Sequence, residues 1–232
     1  MASIAENLRQ VREQIDSSIA QSGRAAGCVK LLAVSKTKGA EQVLEAWQAG
    51  QQDFGENYVQ EALEKMSAVA AMLPSASLPV WHFIGPVQSN KTRDIAANFQ
   101  WVHSIERVRI AQRLSSQRPD GLPPLNVCVQ VNLSGEDSKS GLALEQAEGL
   151  CAQISELPRL ELRGLMAIPA PCSDHEQQRL VYRPLAQLFN QLSARYPHFD
   201  TLSIGMSEDY RAAIAEGSSM VRIGTAIFGK RG

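Results

Sequence analysis

Eight short apolar stretches, nearly all followed by a segment of helical period, limit most tightly what this chain can fold into. The predicted strands are 31–34, 52–57, 80–85, 101–105, 125–133, 162–168, 201–206 and 220–228. The predicted helices between them run from about 39 to 50, 58 to 72, 90 onward, 106 to 117, 144 to 156, 174 to 196 and 208 to 216. An amphipathic helix with Ile4, Leu8, Val11 and Ile15 on one stripe precedes the first strand. Strict alternation implies a parallel sheet, because each helix carries the chain back to start the next strand in the same direction. Eight such units in 232 residues suit a single α/β domain over 1–232, a closed (β/α)8 TIM barrel. An open doubly wound sheet is the alternative, disfavoured because no glycine-rich turn follows the first strand. The Pro/Gly segment 118–124 reads as a loop, since the alternation resumes after it.

A net charge of −1 and a pI near 6.4 supply no long-range field for nucleic acid or an anionic membrane, and neither partner is expected. Cys28, Cys128, Cys151 and Cys172 include no C-x-x-C pair and no histidine at ligand spacing, so no metal site is expected and buried free thiols are the default reading. The amino-terminal segment carries acids and lacks a signal or membrane-span pattern, which makes a cytoplasmic location the expectation.

In a barrel of this kind the reactive groups sit where strands end. The first strand ends V-K-L-L-A-V-S-K-T-K-G, from Val29 to Gly39. Leu32, Val34 and Lys36 share a face, so if that face lines the core, Lys36 emerges at its rim. An amine at an apolar mouth loses hydration and gains neutral, nucleophilic character; the structural alternative is a lysine reaching into water. Ser207 in S-I-G-M-S-E-D stands where a helix should begin, as an N-cap whose helix start also suits an anion. On the last strand Met220, Arg222 and Gly224 share a face. A buried arginine needs a partner: either a ligand, with Gly224 allowing close approach, or an interior carboxylate such as Glu56. Gly224 to Lys230 matches G-x-x-x-x-G-K, but Arg231 follows where Ser or Thr is required, so nucleotide binding is not supported. His82 and His103 read as core histidines with satisfied hydrogen bonds. Lys139, in the polar loop 134–141, is the rival reactive amine.

The blocks L-L-A-V-S-K-T-K, F-G-E-N-Y-V-Q-E, W-H-F-I-G-P-V-Q-S-N-K, K-S-G, R-G-L-M-A-I-P, S-I-G-M-S-E-D and V-R-I-G-T-A-I-F-G occur in that order. Together they closely resemble the pyridoxal phosphate homeostasis proteins, the YggS/PROSC family. The resemblance implies a barrel like the amino-terminal domain of alanine racemase, a fold-type III protein without the C-terminal β domain. It further implies pyridoxal 5'-phosphate joined to Lys36 as an internal aldimine and Arg222 facing the pyridine nitrogen. Ser207, Gly224 and Thr225 would hold the phosphate, with Asn57 and Met206 nearby. Thr225 has the wrong parity for a lumen side chain, so its contribution would come from backbone or a bend.

An arginine does not protonate the nitrogen it faces, which leaves the cofactor a weak electron sink. The expected function is therefore non-catalytic: holding, buffering or delivering pyridoxal phosphate in vitamin B6 homeostasis, with apoenzymes as partners and a monomeric or weakly dimeric state. The alternatives are a racemase or lyase with an unidentified second base, and a structural barrel without ligand.

Overall fold

Every strand in an alternating chain must bury two faces, one against helices and one against the other strands, and closure into a ring satisfies both. The structure, a computed structural model, describes residues 3–74, 78–134 and 140–229. Strands β1 (Lys30–Val34), β2 (Asp53–Glu56), β3 (Val80–Phe83), β4 (Trp101–Ile105), β5 (Leu125–Val131), β6 (Leu160–Ala167), β7 (Thr201–Ser203) and β8 (Met220–Ile223) form a closed barrel in sequence order. All pairs are parallel, and β1 meets β8 with Leu32 opposite Arg222 and Ala33 opposite Ile223. The expected (β/α)8 barrel is the fold observed.

The helices are α1 (Ile4–Gln21), α2 (Ala40–Gln48), α3 (Val59–Met72), α4 (Thr92–Asn98), α5 (Val108–Gln117), α6 (Leu144–Ser155), α7 (His175–Ser193), α8 (Tyr210–Ala215) and α9 (Thr225–Phe228). Side-chain alternation divides the apolar residues as the two-residue period requires. Val127, Val129 and Val131 of β5, with Val221 and Ile223 of β8, join the large core shared with the helices. Leu32, Val34, Ile84 and Met220 form one cluster inside the ring, and Val80, Trp101, Cys128 and Met166 another. The Arg163 guanidinium lies 4.8 Å from the centroid of the Trp101 ring and hydrogen-bonds Asn126 and Asp200, plugging the amino-terminal mouth.

The final strand is shorter than its sequence suggests. Extended backbone stops at Ile223, and 224–228, predicted as strand, turns into α9, with Ile227 N and Phe228 N donating to Gly224 O at 2.9 Å. A short apolar run has no periodicity that separates strand from helix, and here one helical turn buries Ile227 and Phe228 together. Because α9 is a single turn, α1 covers the barrel seam in its stead. It is capped by Ser3, packs on α2, α8 and α9, and is tied to α9 by Asn7 Nδ2 donating to Ile227 O at 2.9 Å. The stripe Ile4, Leu8, Val11 and Ile15 is its buried face.

The interior also holds polar groups. His82 and His103 are fully buried and hydrogen-bonded, His82 to Asp53 at 3.0 Å and to His103 at 2.9 Å, His103 to Ser203 at 2.9 Å. Both are core histidines with partners, as expected. Burial pushes both below the ordinary histidine range, His103 well below, with His82 and Arg222 adding to it.

Leu8→Ala empties a fully buried site at the seam and is expected to lower unfolding free energy by about 2–5 kcal/mol, read from urea denaturation. The histidines make stability sensitive to acid. Their folded affinity for protons lies below the unfolded value of about 6.5, so the stability they contribute is present above that pH and is lost as pH falls below it. Unfolding free energy should decline as pH falls below about 6.5, by up to about 1.4 kcal/mol per pH unit for each ring. A flat profile there would contradict neutral buried rings.

Candidate functional site

Lys36 follows the inward-facing Leu32 and Val34, one residue beyond buried Ser35, and is itself partly buried. The chain turns sharply after it: Thr37 has φ of 65°, an unfavourable backbone for a β-branched residue. That turn is held from α3. Glu61 Oε1 accepts from Thr37 N at 2.5 Å, while Lys65 Nζ donates to Ser35 O at 2.7 Å, to Glu56 Oε1 at 2.7 Å and to Glu61 Oε1 at 2.9 Å. Ser35 Oγ completes the cluster by donating to Glu56 Oε1 at 2.6 Å. Lys65 and Glu56 are both buried, and burial outweighs the lysine and serine contacts in pushing the Glu56 carboxyl above its usual range.

Arg222 has a different environment. NH1 donates to Ser203 O and, at 2.9 Å, to Ser203 Oγ; NH2 donates to Ala167 O at 2.9 Å. The interior ion pair with Glu56 is not formed. Glu56 lies on the outward parity of β2, beside inward Gly55, so it turns to α3 and Lys65. Arg222 is fully buried against neutral acceptors, and that burial lowers its proton affinity. Its described bonds use NH1 and part of NH2, leaving Nε–H and one NH2 hydrogen for another acceptor.

Gly224 ends β8 against β1. A Cβ there would stand 2.9 Å from Val34 O and 3.2 Å from Val34 Cβ, so the missing side chain is explained by strand contact and not by room for a ligand. Thr225 is exposed and opens α9, so the bend anticipated from its parity is real.

Next to β8 on the rim, where Arg222 N donates to Gly205 O at 2.9 Å, Met206 is partly buried and Ser207 exposed. Ser207 is not the N-cap of α8; Asp209 occupies that position. Asp209 Oδ1 accepts from Met206 N at 2.6 Å, pulling the loop inward, and Asp209 Oδ2 accepts from the Tyr182 hydroxyl at 2.7 Å. Burial and the adjacent carboxylate raise the Tyr182 phenol, which keeps it a donor.

Asn57 lies just past β2, and its Oδ1 is buried without a partner among the described residues. Gly85 makes that position possible, because a Cβ on it would come within 2.4 Å of Asn57 O. Asn57, Ile84, Gln130, Ile168 and Met206 line a cleft of about 380 Å³ at the carboxyl ends of the strands. A second pocket of about 260 Å³ shares Met206 and adds Ser207 and Asp209. Ile84 packs on Leu32 and Val34, so the cleft rests on the interior cluster that leads to Lys36. All seven predicted site residues thus lie at this mouth: Lys36, Arg222, Gly224 and Thr225 along the β1–β8 seam, Asn57 and Met206 along the cleft, and Ser207 in the adjoining pocket that shares Met206. Lys139 lies outside the described residues.

Lys65, Asp209, Tyr182 and Ser203 were not anticipated. Lys65 had a readable signal, since Val59, Ala62, Lys65 and Val69 form the buried stripe of α3 and a lysine within such a stripe needs buried acceptors. No group of three or more potential metal ligands occurs among the described residues. Cys128 and Cys151 are buried free thiols, Cys151 pushed up to about 12 by burial, whereas Cys172 is exposed, against expectation. No described helix is long and apolar enough to cross a membrane.

A family model described as alanine racemase, N-terminal domain matches residues 1–232. The chain is 55% identical over 231 residues to the pyridoxal phosphate homeostasis protein of Escherichia coli strain K12, covering 100% of this chain and 98% of that one. It aligns with PipY of Synechococcus elongatus PCC7942, solved with PLP bound, at a TM-score of 0.83 and 33% identity over 98% of this chain and 100% of that one. Alanine racemase of Corynebacterium glutamicum matches at a TM-score of 0.66 and 16% identity, over 98% of this chain and 60% of the racemase, a likeness of fold.

Removing the cation under the Lys36 turn tests the anchoring described above. Lys65→Met should cost about 3–5 kcal/mol by leaving Glu56 buried and unpaired. Combining it with Glu56→Gln should recover much of that loss in urea denaturation.

Proposed function

This chain belongs to the alanine racemase N-terminal domain family, among the pyridoxal phosphate homeostasis proteins, and we propose on that premise that it holds pyridoxal 5'-phosphate covalently on Lys36 and releases it without an efficient reaction of its own. The observation that carries the reading is Arg222: a guanidinium buried at the strand ends, beside the strand that leads to Lys36, with N–H groups to spare and no carboxylate partner.

The residues present fit the group. Asn57 Oδ1 is a buried acceptor in want of a donor, Lys36 offers an amine at an apolar rim, and the first turn of α9 with Ser207 offers donors to an anion. When bound, pyridoxal phosphate supplies an aldehyde that an amine takes up and a ring that withdraws electrons from whatever is attached. The chain's own groups do the rest. Lys36 anchors; the Lys65 cluster keeps its turn in place; Arg222 donates to the ring nitrogen; Ser207, Gly224 and the Thr225 backbone receive the phosphate; Asn57 and Met206 bound the ring. Because a guanidinium donates hydrogen bonds and keeps its protons, Arg222 leaves the ring nitrogen unprotonated and its electron withdrawal weak. That choice of residue favours binding over turnover, and PLP-dependent apoenzymes are the natural recipients. A cytoplasmic site of action belongs to the same reading.

Borohydride reduction of the loaded protein followed by peptide mapping should find the label on Lys36, and Lys36→Ala should abolish both the label and the visible absorbance. Label on Lys139, or none, would overturn the assignment. Transfer of cofactor to an apoenzyme without amino-acid turnover is expected; turnover that disappears in Lys36→Ala would replace the carrier reading with an enzyme.

A further inference from the structure

A line of hydrogen bonds crosses the barrel from the candidate site to the opposite mouth. Arg222 NH1 meets Ser203 Oγ at 2.9 Å, Ser203 Oγ meets His103 Nδ1 at 2.9 Å, His103 Nε2 meets His82 Nδ1 at 2.9 Å, and His82 Nε2 meets Asp53 Oδ1 at 3.0 Å. Arg222 stands one residue before the end of β8, beside the last carbonyl of β6, whereas Asp53 is the first residue of β2. Five strands each contribute one member.

The direction of donation along this line is determined by its ends. An ionised carboxylate only accepts, so His82 Nε2 must carry a hydrogen, and in a neutral ring His82 Nδ1 must then accept. His103 Nε2 therefore donates and His103 Nδ1 accepts. That leaves the Ser203 hydroxyl to donate to His103, turning its oxygen lone pairs to Arg222. A guanidinium only donates, so both ends agree on one orientation. All four bonds point the same way, from cation to anion, an arrangement in which each polarises the next. The His82 plane is held by stacking on Trp101, with centroids 5.2 Å apart and rings 12° from parallel.

We propose that Asp53 is a positioning residue for Arg222: acting through His82, His103 and Ser203, it sets both ring tautomers, turns the Ser203 hydrogen to His103 and its lone pairs to Arg222, and so aims the spare N–H groups of Arg222 at the barrel mouth. The inference rests on the reading that Arg222 faces bound pyridoxal phosphate. A carboxylate at the floor of the barrel thereby governs how firmly the cofactor's ring is held at the rim. Asp53→Asn would admit the reverse orientation as far as Ser203, because an amide can donate to His82 Nε2 and let the hydrogens on both rings shift, so that Ser203 Oγ accepts from His103 as well as from Arg222 and its own hydrogen turns elsewhere.

Long-range proton–nitrogen correlation on the full chain labelled at histidine nitrogen reads the tautomers directly. His82 and His103 are both expected as neutral Nε2–H rings near neutral pH; an Nδ1–H or doubly protonated ring at either position overturns the proposal without any variant. In Asp53→Asn an Nδ1–H population should appear at His82, the absorption band of the bound cofactor should shift, and its affinity should fall by about fivefold, as for the loss of one oriented hydrogen bond. Asp53→Glu, which keeps the carboxylate, should restore the Nε2–H tautomers and the band. Altered tautomers with unchanged band and affinity would reduce the line to a structural feature of the core. Should Asp53→Asn fail to fold, Ser203→Ala interrupts the line beside Arg222, and unchanged band and affinity there would overturn the proposal equally. Failure of the cofactor to label Lys36 would instead refute the pocket reading, with the tautomers still reporting on the line itself.

Discussion

Closure of the sheet between β1 and β8 is the constraint on which the rest depends. It pairs Leu32 with Arg222 and brings Gly224 against Val34, so the strand that ends toward Lys36 and the strand that carries the guanidinium become neighbours. Nothing in the 185 positions between Lys36 and Arg222 would bring these two residues together unless the ring closed. The seam is also where a barrel of this type has least covering, since α9 is one turn long. The amino-terminal helix α1 makes good that deficit, which ties the stability of the seam to the first segment of the chain.

Buried charge at the mouth is handled in two ways. On the outward side, Lys65 and Glu56 neutralise each other, and Glu61 and Ser35 absorb the remaining hydrogen-bonding capacity of the ammonium. Such a cluster is strongly destabilising to break and contributes little net stability over an apolar substitute, so its value lies in holding the turn after Lys36. On the inward side Arg222 meets only neutral oxygens, and its counter-charge, Asp53, stands at the far end of four hydrogen bonds. A guanidinium arranged in that way keeps donor capacity for a ligand. A direct carboxylate partner would have consumed it.

Under the proposed function, these two arrangements suit a protein that retains pyridoxal phosphate more than one that uses it. Lys36 stands at a braced turn, and Arg222 on the neighbouring strand donates hydrogen bonds without giving up protons. The loop bearing Met206 and Ser207 is drawn in by Asp209 and Tyr182, so each side of the cleft is pinned from the helical layer behind it.

The alternation of apolar strands with helical segments determined the barrel, because a chain that reverses through a helix after every strand can satisfy both strand faces only in a parallel sheet. Parity along single strands also determined which residues share a face, and the grouping of Leu32 with Val34 and of Met220 with Arg222 was legible for that reason. Motif resemblance carried Lys36, Asn57 and Arg222 to one mouth. What a linear pattern cannot hold is the identity of partners that meet across the ring. Whether Arg222 pairs with Glu56 or with Ser203, and whether Glu56 turns to the lumen or to Lys65, depends on the register of strands far apart in sequence. The same is true of the end of β8, where Gly224 to Phe228 is equally apolar as strand or helix and only packing beneath α1 selects the turn. Local chemistry is written in the order of residues, whereas the pairing of buried charges is decided by closure, since only closure specifies which desolvated groups face one another.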